Sequence, residues 1–435
     1  MDKNRKTAFD ALLEIQTKKA YSNIAVNRAV TKNIPDDEAF VRNLVYGVLE
    51  NQIFIDHRLS QLMKQKLKKV NPKALTLLRM GAYQLEFADS VPAYAAINES
   101  VNIAKKVCRG LDGFINGVLR SYERRNGDFE MPDKSAEPSR YLAVKYSYNE
   151  DIAEMWLNMY GFQKAESMMI AGNQAPPLTI RVNRLKTDAG ALREMLEKRG
   201  FNLQAARTGS DGYDHALDGL ALNVSGSGLI ASDLYKNGYF SVQDISSMLM
   251  VSALDPQPGD TLLDLCAAPG GKSMCAAEMM NDKGKVISCD IYEHKVELME
   301  KAAERLGIKC LKAEKNDALE YNSRFEGIAD CVIADVPCSG LGVVRRKPEI
   351  KLHTSLENIK ELAEIQLKIL DNAARYVKGN GRLVYSTCTV SQYENENVTE
   401  MFLKKNNNFS VLKTVQLFPD NDNADGFYFT VMQRF

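Results

Sequence analysis

The sequence predicts a multidomain chain: an all-α helical bundle at the front, a small α/β module in the middle and a larger α/β domain with a parallel sheet at the back. Three observations predict it. At 435 residues the chain exceeds what one ordinary hydrophobic core serves. Apolar residues recur at three- and four-residue intervals from Lys6 to about Arg125, whereas beyond Gly238 short apolar runs alternate with helical patterns. A composition of 45% hydrophobic and 26% charged residues is that of a folded chain and excludes a disordered one.

The bundle is read from Leu12 and Ile15, then from Ala39, Val41, Leu44, Val45 and Val48. Asn71-Pro72 opens a helix carrying Leu75, Leu78, Met80 and Tyr83, and Val91-Pro92 precedes another through Ala95, Ile97, Val101 and Ile103. Asn126-Gly127-Asp128 and the stretch from Met131-Pro132 to Pro138 interrupt every periodic pattern, so a linker is expected there, closing a first domain over 1–127. Pro176-Pro177 leads into a strand over 178–182, and Asp188 caps a helix that stops at Gly200; these define the module, 139–235. In the remaining domain, 236–435, the clearest strands are 261–265, 285–290, 331–335 and 382–386, with helices over 272–280, 294–306 and 356–377. That alternation puts ligands at the carboxyl ends of the strands.

Net charge is zero, but residues 1–130 hold 21 Lys+Arg against 15 Asp+Glu. The run Lys64-Gln65-Lys66-Leu67-Lys68-Lys69 suits phosphate contact or a solvated helix face equally. Met1 to Lys19 lacks the unbroken apolar core of a secretion signal, and no later stretch is apolar enough to cross a bilayer, so a cytoplasmic protein is expected, with no membrane partner. The eight cysteines, at 108, 266, 275, 289, 310, 331, 338 and 388, form no C-x-x-C pair; neither a metal site nor a disulfide framework is expected.

The run Leu262-Leu263-Asp264-Leu265-Cys266-Ala267-Ala268-Pro269-Gly270-Gly271-Lys272-Ser273 is a strand, a tight turn of small residues and a helix start in succession. Gly270 and Gly271 let the backbone approach a ligand, and the free amides of the helix start favour an anion. A Walker loop would need glycine where Cys266 stands, and a G-x-G-x-x-G loop is not formed. Asp290 ends the next strand, where an acid hydrogen-bonds ribose hydroxyls, so the ligand carries a nucleoside; S-adenosyl-L-methionine meets every requirement. The competing reading is a structural turn beside a surface aspartate.

Cys338, in Asp335-Val336-Pro337-Cys338-Ser339-Gly340, and Cys388, in Ser386-Thr387-Cys388-Thr389, both follow strands at this ligand edge. A thiolate there suits a pyrimidine ring. Sulfur added to C6 of cytosine gives C5 enamine character, so that this otherwise unreactive carbon accepts a methyl group. Asp335 is placed to meet N3 as the assisting acid, with its carboxyl group protonated, and Lys272 to orient Asp335 or the base. Arg345, Arg346 and Lys347 follow as candidates for RNA phosphates, or as a solvated patch. The target base must be unstacked, so a loop or an incompletely assembled particle is expected as substrate.

Cys266 to Lys272, Asp290, Asn316-Asp317-Ala318, Asp335 to Gly340 with Arg345-Arg346, and Tyr385 to Thr389 with Glu394-Asn395 resemble the RNA cytosine-C5 methyltransferase family, most closely its RsmB (Sun) branch. At the front, Ala20-Tyr21-Ser22-Asn23, Leu44-Val45-Tyr46-Gly47-Val48, Leu78-Arg79-Met80-Gly81-Ala82-Tyr83 and Gly113 to Arg120 resemble the NusB-type RNA-binding bundle. The resemblance implies a NusB-like bundle, an α/β RNA-binding module and a Rossmann-like class I methyltransferase domain. It also implies methyl transfer from S-adenosylmethionine to a specific cytosine of 16S (small-subunit) rRNA, by a monomer acting on free RNA or an assembling subunit. By resemblance, Cys388 attacks C6 and Cys338 helps release the product; the two thiols are not ranked by the residues alone. By resemblance too, Cys266, Ala267, Ala268, Pro269, Gly270, Gly271, Lys272, Asp290, Asp317 and Asp335 hold the cofactor. Two other readings are an antitermination-type RNA-binding factor with an inactive methyltransferase fold, and a DNA cytosine methyltransferase, whose nucleophile would be the P-C cysteine, Cys338.

Overall fold

Asp37 and Asn71 start two of the front helices, their side chains accepting hydrogen bonds from the amides of Phe40 and Lys73. The computed structural model describes residues 2–18, 20–209 and 217–435, which form two compact units, 1–173 with 344–355 and 174–343 with 356–435. Helices Lys3–Lys18, Ser22–Asn33, Glu38–Glu50, Gln52–Ser60, Pro72–Phe87, Ala93–Val107 and Asp112–Arg125 surround a core that includes Phe9, Leu12, Val41, Leu44, Leu75, Leu78, Ile97, Ile115 and Leu119. Arg79 adds a two-pronged ion pair to Asp56, at 2.8 and 2.6 Å. The lysine run is not a helix face: Leu67–Lys69 is a single tight turn, with Lys64, Lys66, Lys68 and Lys69 exposed.

These units divide the chain differently from the three segments expected. Phe129, inside the expected linker, is buried with its ring 5.0 Å from that of Tyr122, and helices Pro138–Tyr146 and Glu150–Gly172 belong to the front unit. So does Val344–Ser355. Within this unit Glu349 accepts the Ser22 amide and hydroxyl at 3.1 and 2.8 Å. Fully buried Lys351 donates to Glu50 O and Asn173 Oδ1, both at 2.7 Å.

Burial drags the Lys351 pKa from 10.5 down to about 7, against the opposing pull of Glu50. The unfolded chain therefore takes up this proton first as pH falls, and stability present above pH 10.5 is lost down to about 7, at no more than roughly 1.4 kcal/mol per pH unit. The melting temperature of the helical unit should fall between pH 10 and 7 less steeply in Lys351→Met than in the parent. Equal slopes would refute this account of the lysine.

In the second unit, β1 (Thr179–Val182), β2 (Asn202–Ala205), β3 (Ala221–Ser225) and β4 (Phe240–Val242) form an antiparallel sheet in the order β2-β3-β1-β4. The helix Ala189–Glu197 is capped by Asp188, as its sequence predicts. The larger sheet contains β5 (Thr261–Asp264), β6 (Lys285–Asp290), β7 (Leu311–Lys315), β8 (Ala329–Asp335), β9 (Val377–Thr387), β10 (Phe409–Leu417) and β11 (Phe427–Arg434). Its order is β10-β11-β9-β8-β5-β6-β7. Strands β5 to β9 are parallel, but β10 and β11 pair antiparallel at one edge, so the sheet is mixed rather than wholly parallel. The parallel strands are apolar on both faces because helices such as Gly271–Met279, Glu293–Leu306 and Leu356–Tyr376 cover them. The chain order reverses between β5 and β8, and a crevice at such a point receives ligands at the carboxyl ends of the strands. No helix of the described residues is long and apolar enough to cross a membrane.

Candidate active site

Five adjacent strand ends meet at that edge: Asp264 of β5, Asp290 of β6, Asn316-Asp317 after β7, Asp335 of β8, and Cys388 after β9. After β5, the loop Cys266–Gly270 turns sharply into the helix Gly271–Met279. Gly270 has φ +98°, and a Cβ there would lie 2.8 Å from Met274 Cε, so any side chain would strain the turn. No side chain caps this helix start, which leaves first-turn amides for an anionic group. Fully buried Arg181 of β1 fixes the helix by gripping Glu278 at 2.9 and 2.8 Å and the Gly271 carbonyl at 2.9 Å.

At the next strand end, Asp290 is buried and accepts the Tyr292 amide at 3.1 Å and Lys295 Nζ at 3.4 Å. Asp317, half-buried, accepts the Leu319 amide at 2.9 Å. Between them, Asn316 Nδ2 is buried without a hydrogen-bond partner. An unsatisfied buried donor beside two carboxylates is what a heterocyclic acceptor would complete. Ile291 and Leu319 expose apolar side chains close by in the chain. With the glycine turn and the uncapped helix start, this donor set fits a nucleoside bearing a carboxylate, as S-adenosylmethionine does.

Asp335 accepts Lys272 Nζ at 2.6 Å on one oxygen and Ser386 Oγ at 2.8 Å on the other. Burial opposes charge on Lys272, but the Asp335 carboxylate outweighs it and lifts the ammonium pKa above its usual range. The ammonium also lies 5.3 Å from the Phe427 ring centroid. An ammonium thus faces the acid that was expected to be protonated.

Cys338 Sγ lies 3.2 Å from Cys388 Sγ. Its hydrogen bond to Cys388, reinforced by burial, raises the Cys338 pKa well above the ordinary thiol value. Cys275, Cys289 and Cys331 are buried within the fold, consistent with inert core thiols, while Cys310 is half-buried.

Two groups here were quoted within sequence motifs but given no role. Asp264, just before the loop Cys266–Gly270, is fully buried, accepts Ser273 Oγ at 2.6 Å and has no partner on Oδ1; burial pushes its pKa to about 7. Its position at the end of an apolar strand was the available signal. Glu394 is also fully buried and accepts the Ser339 amide and hydroxyl at 2.8 and 2.5 Å and Gln366 Nε2 at 3.0 Å, with its pKa raised by burial. Arg345, Arg346 and Lys347 stand on Val344–Ser355 of the helical unit, Arg346 and Lys347 exposed, with Lys347 Nζ 5.9 Å from the Tyr21 ring centroid. No group of His, Cys, Asp and Glu among the described residues is arranged to hold a metal ion.

The family described as 16S rRNA methyltransferase RsmB/F matches residues 251–433, the NusB family matches 2–124, and a ferredoxin-like domain of RsmF/B-like methyltransferases matches 150–213. The probable ribosomal RNA small subunit methyltransferase B of Bacillus subtilis (strain 168) is 36% identical, over 99% of this chain and 98% of its own length. The corresponding protein of Synechocystis sp. is 32% identical, over 92% of this chain and 89% of its length. Among solved structures, a methyltransferase homologue from Pyrococcus horikoshii superposes with a TM-score of 0.61 at 24% identity, covering 69% of this chain and 100% of its own, which shows the shared fold.

Proposed function

The chain belongs to the RsmB/F family of 16S rRNA methyltransferases, and from that premise and the geometry of the strand-end cluster we infer that it methylates C5 of a cytosine through a covalent adduct on Cys388. As a member of the family it is an S-adenosylmethionine-dependent methyltransferase of small-subunit rRNA. The observation that carries the finer reading is the thiol pair at 3.2 Å beside the Asp335–Lys272 pair.

The raised Cys338 pKa disfavours its thiolate, which supports ranking Cys388 as nucleophile. Its addition to C6 pushes electrons towards N3, where the Asp335–Lys272 pair supplies the compensating proton. S-adenosylmethionine, when bound, supplies an electrophilic methyl group for which C5 has by then become the nucleophile. The loop Cys266 to Lys272 would hold its amino-acid end by backbone amides, Asp290 its ribose, and Asn316 with Asp317 its adenine, with Asp335 bordering both cofactor and base. Loss of the C5 proton then restores the aromatic ring and expels Cys388.

Segments 1–127, 139–235 and 236–435 are proposed as functional domains, the first two binding RNA and the last catalytic, in a cytoplasmic monomer. Exposed Arg346 and Lys347, with Arg345, are proposed contacts for RNA phosphates. Bisulfite sequencing of 16S rRNA from cells with and without the gene tests the reaction: one cytosine should lose its protection when the gene is deleted, and an unchanged pattern would exclude this specificity. Cys338→Ala should accumulate an enzyme–RNA adduct that survives a denaturing gel. If that variant instead forms no adduct, Cys338 is the attacking thiol.

A further inference from the structure

The two thiols sit on separate segments, one after β8 and one after β9, yet their neighbours in sequence are tied together. Ser339 Oγ and Thr389 Oγ1 are 2.7 Å apart, and both hydroxyls bond to the fully buried Glu394 carboxylate. Glu394 also takes the Ser339 amide at 2.8 Å. Gln366 Nε2 bridges Glu394 Oε1 and the carbonyl of Pro337, each at 3.0 Å, so the turn Pro337-Cys338-Ser339 is gripped from both sides. Tyr385 Oη in turn holds the Glu394 carbonyl at 2.5 Å and Gln366 Oε1 at 3.1 Å.

Cys388 depends on this carboxylate less. It directly follows β9, and its carbonyl is fixed by the Gly342 amide at 3.0 Å. Loosening Glu394 therefore shifts the two thiols relative to each other.

We propose that Glu394 is a positioning residue for product release, holding the thiol of Cys338 against the sulfur of Cys388 by clasping Ser339 and Thr389. This rests on the assignment of Cys388 to attack and Cys338 to release. In the release step a base takes the C5 proton, the C5–H electron pair re-forms the C5=C6 bond, and the C6–S pair leaves with Cys388 as thiolate. Glu394 touches no reacting atom and acts through the placement of Cys338.

The test follows adduct formation and clearance on denaturing gels for full-length Glu394→Gln and Ser339→Ala, with 16S rRNA transcript and S-adenosylmethionine. Ser339→Ala removes one hydroxyl from a half-buried turn and leaves no charge uncompensated, so it reads the clasp even if the glutamate variant folds poorly. Both variants should bind S-adenosylmethionine as the parent does and form the adduct, which should clear about tenfold to a hundredfold more slowly. Glu394→Gln, which keeps one acceptor oxygen, should clear faster than Glu394→Ala, a rescue that general destabilisation would not produce. Parental clearance in both variants, or failure of both to form adduct, overturns the proposal. Cys338→Ala runs beside them. Slow clearance there with parental clearance in the other two overturns the positioning role alone, whereas parental clearance in Cys338→Ala overturns the assignment of that cysteine and this inference with it.

Discussion

Cys388→Ala is expected to abolish methyl transfer, by at least about 10⁴-fold, while S-adenosylmethionine still binds. The size of the loss follows from the chemistry. C5 of cytosine belongs to an electron-poor ring, and without sulfur on C6 it has no electron pair with which to reach a methyl group. Neither Asp335 nor Lys272 can substitute, because an acid at N3 assists an addition but does not make one. Cys338 is 3.2 Å away, but its pKa, raised by the hydrogen bond to Cys388 and by burial, blunts it as a replacement. Binding of cofactor should survive, since the contacts proposed for it come from β5, β6, β7 and β8 and the loops that follow the first three, none of them from Cys388. Isothermal titration with S-adenosylmethionine beside a tritium-transfer assay on 16S rRNA separates the two properties. Methyl transfer within tenfold of the parent would sink the covalent mechanism.

Asp335→Asn is expected to lower kcat/KM by roughly 10²- to 10⁴-fold and to move the alkaline limb of the pH–rate profile to lower pH. The amide keeps the oxygen that accepts Ser386 but loses the charge that faces Lys272. Burial lowers the Lys272 pKa, and the Asp335 charge is the main influence that holds it above its usual value; with that charge gone, burial is less opposed and the ammonium deprotonates earlier as pH rises. The proton supply at N3 is thus weakened both by a missing partner and by a lysine that has become less basic. A profile from pH 6 to 10, measured on the adduct-forming step, reads both effects. A parental profile with activity reduced less than threefold would remove the pair from the mechanism.

Much of this site was legible because it is local in sequence. An apolar strand, a turn built on Gly270-Gly271, a helix start and an acid ending the next strand are contiguous features with period and spacing of their own. Once a parallel sheet was inferred, Cys338 and Cys388 had to emerge at one edge. What stayed hidden depends on pairing across long separations. The pairing of the two sulfurs is a contact between residues 50 apart, and the clasp of Glu394 on Ser339 one between residues 55 apart. Sequence patterns register neither, and Glu394, though part of the family motif, carries no sign there of what it holds. Glycine, proline and charge between Asn126 and Pro138 marked a break in helical period, but such a break does not reveal whether the chain leaves the bundle; Phe129 buried against Tyr122 keeps it there. The antiparallel hairpin of β10 and β11 was missed because the interrupted parallel alternation was the stronger pattern.

The excursion Val344–Ser355 makes the two units topologically entangled along the backbone. The polypeptide passes from one to the other after residues 173, 343 and 355, so the helical unit is discontinuous and is completed by twelve residues encoded within the catalytic half. A fragment ending at residue 173 would lack Glu349, leaving the Ser22 amide and hydroxyl without their acceptor, and would lack the Lys351 ammonium that satisfies Glu50 O and Asn173 Oδ1. The front of this protein is therefore not a detachable module, and dissecting it at a single cut discards part of its own interior.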